Sequence, residues 1–248
     1  PMQPNRRDFT AGTLSSLLTF SRLETVFSAD AFGKDIQPLT AGWLAEIHQI
    51  SQDMKGTKLT QLQWQQQVER LLAKADVQDL MRFIDFEKLT ANVKFRERGE
   101  LSLRPVFPEV DGLPTDLVFG RQLFALAKNR SVVPHGHDNM ATCFLVMQGD
   151  FHGRHYDRLE DDAEHMIIKP TIDDKFGPGG YTSISDYKDN VHWFKCTSDS
   201  GYIFNIHVIG ITAGRRGRVY IDPDGEKLSG GRIKARKLNT GEAFRLYG

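Results

Sequence analysis

The sequence predicts a mainly β protein, α+β overall: a small barrel of short strands preceded by a helical region. Three observations predict it. Between residues 40 and 93, apolar positions recur at spacings of three and four, the period of a helix with one buried face. Near residue 99 the texture changes, and Gly99, Pro105, Pro108, Gly112 and Pro114 mark a connector. Beyond it, short β-like runs alternate with turn signals at roughly ten-residue spacing, as in a sandwich or barrel.

The elements follow in order. Thr40 is placed to cap a helix carrying Trp43, Leu44, Ile47 and Ile50, and Lys55-Gly56 ends it. Thr60 and Gln63 have the spacing of a capping box. The helix they open carries Leu62, Val68, Leu71 and Leu72, with the glutamines around Trp64 toward solvent. Asp76 caps a third helix with Val77, Leu80, Met81 and Ile84. Strands are expected over 117–127, 142–149, 151–157, 165–169, 191–196, 202–211 and 217–222. Gly177-Pro178-Gly179-Gly180 and Asp222-Pro223-Asp224-Gly225 read as turns. The expected organisation is a distinct segment over 1–31, a helical region over 32–98 packed on the barrel, and the barrel over 99–248.

Residues 1–31 have their own signature. Asn5-Arg6-Arg7-Asp8-Phe9 resembles a twin-arginine export signal. A weakly apolar run, 10–20, follows it, and Ser28-Ala29-Asp30-Ala31 has the small-x-small look of a signal-peptidase site. Arg22 and Glu24 interrupt the pattern, and a mobile amphipathic arm is the alternative. A working signal implies export to the periplasm; without one the protein stays in the cytoplasm.

Composition excludes several classes. Lys+Arg and Asp+Glu are both 32, so the formal net charge is zero, unlike a dedicated nucleic-acid binder. No apolar stretch is long enough for a membrane-spanning helix. Two cysteines, Cys143 and Cys196, cannot make a disulfide scaffold or a four-cysteine zinc site.

Histidine placement is the most informative feature. Of eight histidines, seven lie between residues 135 and 207. In His135-Gly136-His137 the two imidazoles are two residues apart, so an extended chain puts both on one face. Buried neutral imidazoles need partners, and one metal ion supplies a partner to each. His192 opens the run Val191-His192-Trp193-Phe194 and is the third candidate ligand. His207 lies inside an apolar run, 203–208, and is expected to assist from beside the metal rather than bind it. His48, His152 and His165 read as ordinary polar residues.

This pattern resembles the cupin superfamily, small barrels of the double-stranded β-helix type. Cupins carry a His-x-His in a first motif and one histidine in a second. Most add a Glu four or five residues after the His-x-His, but here those positions hold Ala141 and Thr142. A three-histidine site of this kind resembles the thiol dioxygenases, of which cysteine dioxygenase is the familiar member. The stretch 134–137 followed by 143–151, from Cys143 through Gln148-Gly149, resembles that family's first motif. Asn190-Val191-His192 followed by Asn205-Ile206-His207 resembles the second. The resemblance covers roughly residues 117–211. It departs around His207: the family places a Ser and a Tyr two residues either side, and this chain has Asn205 and Ile209. Cys143 resembles the cysteine that crosslinks to that Tyr, and Ile209 cannot form the crosslink.

The resemblance implies a metal held by His135, His137 and His192, with Fe(II) the first expectation. The same donors suit Zn, Ni, Mn or Cu. Three neutral imidazoles leave an octahedral ion three open positions, enough for a thiolate and O₂ together. The implied partners are therefore a small-molecule thiol and O₂, with no nucleic acid and no membrane span. Arg121 is the expected clamp for a substrate carboxylate, with Arg104 second. Cupins commonly dimerise, so a homodimer is the implied assembly. Two alternatives stay open: another cupin enzyme, dioxygenase or isomerase, and a non-catalytic cupin that binds metal or a small ligand.

The remaining features have plain readings. Cys143 and Cys196 are expected to be buried, inert thiols. The acidic run from Asp157 to Glu164 is expected to be a solvated loop, and the basic run Arg215, Arg216, Arg218, Arg232, Lys234, Arg236 and Lys237 a solvated sheet edge.

Overall fold

The computed structural model describes residues 29–248 apart from Arg215. The Arg6-Arg7 pair and the apolar run after it lie outside the described residues.

Four helices come first: α1 (Ala29–Lys55), α2 (Gln61–Leu72), α3 (Val77–Phe83) and α4 (Phe86–Thr90). Helix α1 already runs through the first described residues, so Thr40 lies inside it, buried, instead of capping it. It stops as expected, with the Gly56 N–H donating to the Gln52 carbonyl at 2.8 Å. The capping box at α2 forms: the Thr60 hydroxyl accepts from the Gln63 N–H, and the Gln63 side chain accepts from the Thr60 N–H. Asp76 caps α3 by accepting from the Asp79 N–H at 3.0 Å. Leu44, Ile47, Trp64, Val68, Leu71 and Leu80 form the buried helical face. Leu62, expected inward, is exposed.

Eleven strands follow. One antiparallel sheet contains β1 (Leu101–Leu103), β2 (Gly120–Ala127), β4 (Met140–Gln148), β7 (Tyr181–Ile184) and β9 (Ser200–Ile209), in the order β1-β2-β9-β4-β7. The other six are β3 (Ser131–Asp138), β5 (Phe151–Asp161), β6 (His165–Phe176), β8 (Val191–Cys196), β10 (Gly217–Lys227) and β11 (Ile233–Leu238). They close into a ring, β10-β11-β6-β5-β8-β3. Helix α5 (Thr240–Tyr247) ends the chain. The protein is therefore mainly β, with a barrel behind an N-terminal helical layer.

The helices pack on one face of the five-stranded sheet, against Leu123, Leu145, Phe204, Ile206 and Val208. Its other face meets a second cluster that includes Phe124, Phe144, Phe194 and Ile203. A polar seam ties α2 to β7 and the loop after it. Gln65, buried, donates to the Ser183 carbonyl at 3.1 Å and accepts from the Ser185 hydroxyl at 2.6 Å. Gln61 donates to Asp186 at 2.8 Å and accepts from its N–H at 2.9 Å. These glutamines were expected in solvent. They are buried because matching partners arrive from a distant strand.

Other differences have local causes. Asp222-Pro223-Asp224-Gly225 lies within β10 as a register shift against β11, not as a turn. A Cβ on Gly225 would lie 2.1 Å from the Lys234 carbonyl oxygen, so only glycine allows this close approach. The acidic run continues β5 to Asp161, where ion pairs hold it: Arg158 bridges Asp138 (2.7 Å) and Asp161, and Lys237 reaches Asp161. Strand β11 is no edge, since β10 and β6 pair with it on either side.

Candidate metal centre

A cavity of about 200 Å³ lies between the five-stranded sheet and the ring. Strands β3, β8 and β10 supply one wall, with His135, His137, His192 and Arg218. Strands β2, β4 and β9 supply the other, with Gln122, Thr142, Phe144, Asn205 and His207.

The local backbone explains how the three candidate ligands meet. The β3–β8 register shifts between Val132 and His135, and both of these side chains line the cavity. His135 and His192 are direct cross-strand partners. Gly136 sits between the paired histidines because a Cβ there would lie 2.6 Å from Asn190 Oδ1. Asn190 Nδ2 donates to the His137 carbonyl (2.9 Å) and the Ser185 carbonyl (3.0 Å), tying the start of β8 to the end of β3.

Each of the three offers one ligand nitrogen, and these atoms lie within 4.8 Å of one another. All three rings are buried. His135 Nδ1 lies 2.7 Å from the Val133 carbonyl, which makes Nδ1 the protonated atom and leaves Nε2 as a lone-pair donor. That Nε2 is buried with no partner among the described residues, and so is His192 Nδ1. Burial, the neighbouring rings and Arg218 hold His135 and His192 well below the usual imidazole range. Burial, Arg218 and His207 push His137 down to about 3. Neutral, desolvated and partly unpartnered imidazoles are what a metal needs from its ligands. The group could hold one metal ion, and among the described residues no carboxylate joins it.

His207 lines the same cavity from β9. Its Nδ1 lies 3.0 Å from Asn205 Oδ1, so Nδ1–H donates and Nε2 is left as acceptor. The ring fits because Gly120, its cross-strand partner, has no side chain; a Cβ there would lie 2.2 Å from Nε2.

Arg121 is a correction. Side chains alternate along β2, and Gln122 faces the cavity. Arg121 lies on the opposite face, donating to the Pro105 carbonyl at 3.1 Å with its guanidinium over the Phe107 ring at 4.4 Å. Arg104 is not among the cavity residues either. The cation that lines the cavity is Arg218, the cross-strand partner of His137 on β10.

Glu100 was also missed. It lines the cavity just before β1, and its Oε2 is buried with no partner among the described residues. Burial raises its carboxyl above the ordinary range, against the pull of Arg218 and Arg96. Gly99 sets its position: φ is +73°, and a Cβ would lie 2.3 Å from the Phe244 ring of α5. A glycine beside an acid at the start of the connector is the one signal the sequence offered.

The remaining histidines divide cleanly. His48 Nδ1 accepts from the Val118 N–H at 3.3 Å. His152 meets Asp173, and His165 lies 3.9 Å from Asp162. His155 drew no assignment from the sequence, yet it is fully buried beside His192. Cys143 and Cys196 are buried and unbridged, and burial pushes both thiols up.

No family model matches the chain, and no curated protein does. Several solved structures are similar in fold. A sugar phosphate isomerase of the cupin superfamily from Silicibacter pomeroyi is 18% identical, over 58% of this chain and 83% of that one, with a TM-score of 0.36. An uncharacterised protein with a double-stranded β-helix domain from Klebsiella pneumoniae is 10% identical, over 53% of this chain and 87% of that one, also at 0.36. Procruciferin, an 11S globulin from Brassica napus, is 13% identical over 42% of this chain at 0.31, and the match spans only 23% of its own length. At these identities and overlaps, nothing about activity passes from those proteins to this chain.

Proposed function

We propose that the chain is a three-histidine, metal-dependent dioxygenase of the thiol dioxygenase type, adding both atoms of O₂ to the sulfur of a small thiol. One observation carries this: three buried imidazoles converge on one wall of a small cavity, and the group of ligand atoms contains no carboxylate, Glu100 lining the cavity outside it. His135, His137 and His192 hold the metal, with Fe(II) the expected ion. When bound, the metal supplies the redox chemistry that lets O₂ react with a thiol sulfur. The overall change is balanced: one thiol and one O₂ give one sulfinic acid, and sulfur supplies all the electrons.

The chain's own groups do the rest. Arg218, at the exposed end of the cavity, faces a substrate anion. Glu100 accepts the thiol proton; its desolvated carboxylate with a spare oxygen is suited to that. His207, fixed by Asn205 and seated over Gly120, orients the substrate from the opposite wall. The aromatic cluster of Phe124, Phe144 and Phe194 keeps water out from beneath.

The test is O₂ uptake by the iron-loaded protein across a panel of small thiols. Stoichiometric O₂ consumption with sulfinate formation supports the reading. Metal-dependent turnover of a substrate without sulfur would replace it with the isomerase alternative, which Glu100 as a proton carrier also favours.

A further inference from the structure

Strands β3, β8 and β5 carry three histidines in one line across the sheet. His135 pairs with His192, and His192 pairs with His155. Cross-strand partners share a face of the sheet. The His155 and His192 ring centroids are 6.2 Å apart. His155 is fully buried, and neither of its ring nitrogens has a partner among the described residues. His192 Nδ1 is in the same condition. Phe194, two residues along β8 from His192, stands edge-on to the His155 ring at 5.4 Å.

Three unpartnered ring nitrogens on two adjacent buried rings are costly unless they satisfy one another. His155 is fully buried and no carboxylate pairs with either ring nitrogen among the described residues, so burial favours the neutral ring. A neutral imidazole offers one donor and one acceptor. A histidine that binds a metal through one nitrogen ordinarily donates its other N–H to a neighbour, which fixes tautomer and ring plane. His135 does so through Val133. The described residues offer His192 no backbone carbonyl or carboxylate in that role.

We propose that His155 is a positioning residue: through one bridging water it accepts the Nδ1–H of His192, and so presents His192 Nε2 to the metal. The inference rests on the reading that His192 is a ligand, and it adds a fourth histidine that never touches the ion. It also explains why a polar ring occupies a site that otherwise suits an apolar one.

Nitrogen-15 NMR of the metal-free protein with labelled imidazoles reads the His192 tautomer directly. Cobalt(II) titration reads affinity. The expected wild-type result is the Nδ1–H tautomer at His192. His155→Leu should lose that preference and bind cobalt roughly ten- to a hundred-fold more weakly, with the metal-free Tm unchanged or raised. His155→Gln, which restores an acceptor, should recover both. An Nε2–H tautomer in wild type overturns the proposal. So does a His155→Leu protein with unchanged tautomer and cobalt affinity. Should His155→Leu fail to fold, the wild-type tautomer and His155→Gln decide. A wild type that binds no cobalt defeats the metal reading, while its His192 tautomer still decides the contact with His155.

Discussion

Two buried polar regions of this molecule invite comparison: the seam between α2 and β7, and the histidine line across β3, β8 and β5. Both bury polar side chains in a mainly apolar interior. At the seam, both ends of the Gln65 amide find partners, on Ser183 and Ser185. Along the histidine line, His135 Nε2, His192 Nδ1 and both nitrogens of His155 have none among the described residues. Satisfied groups hold a fold together; unsatisfied ones are kept for something the fold does not supply. The seam is architecture, and the histidine line leaves buried nitrogens unpaired, three of its residues forming a group that could hold a metal ion.

The largest expected effect is on acid stability. His137 and His155 are held at about 3 in the folded protein, against about 6.5 when unfolded. The unfolded chain therefore binds more protons between those values. Stability is fully present above about pH 6.5 and is lost as pH falls toward about 3, by about 1.4 kcal/mol per pH unit for each group. Denaturant midpoints of the metal-free protein against pH measure the slope, and His155→Leu should make it shallower. A flat profile across this window would mean that these rings are not buried as described.

Next comes the seam. Gln65→Ala strands the Ser185 hydroxyl and should cost about 2 kcal/mol of stability while leaving metal content unchanged. Urea unfolding and metal analysis of one preparation check both halves. Loss of metal would show that the two regions are coupled through the loop joining β7 to β8.

Smaller still is the contrast between two arginines. Arg218→Ala should raise KM for an anionic thiol about tenfold, about 1.4 kcal/mol. Arg121→Ala should leave KM unchanged, because its guanidinium packs on Phe107 away from the cavity. The reverse result would restore Arg121 as the clamp. The smallest change is Thr60→Ala, which breaks the capping box and should cost about 1 kcal/mol, read as a lower Tm with metal binding intact.

What was legible in the sequence was local. The helix caps at Thr60 and Asp76 depend on residues three apart, and the His135-Gly136-His137 pair depends on the strand period of two. What was not legible depended on long-range register. Arg218 enters the cavity only because β10 pairs with β3, and His155 meets His192 only because β5 pairs with β8. Arg121 went wrong by one residue of alternation: Gln122 faces inward, and a one-residue change of parity exchanges the faces of a strand. Gln65 looked like a solvent residue because its partners lie more than a hundred positions away.

Everything proposed for the cavity depends on His135, His137 and His192 holding a metal. Elemental analysis of the wild type beside a His135→Ala/His137→Ala double variant tests it most directly. The expected result is one metal ion per chain, iron above all, absent from the double variant. No metal in either protein after incubation with Fe(II) would contradict it.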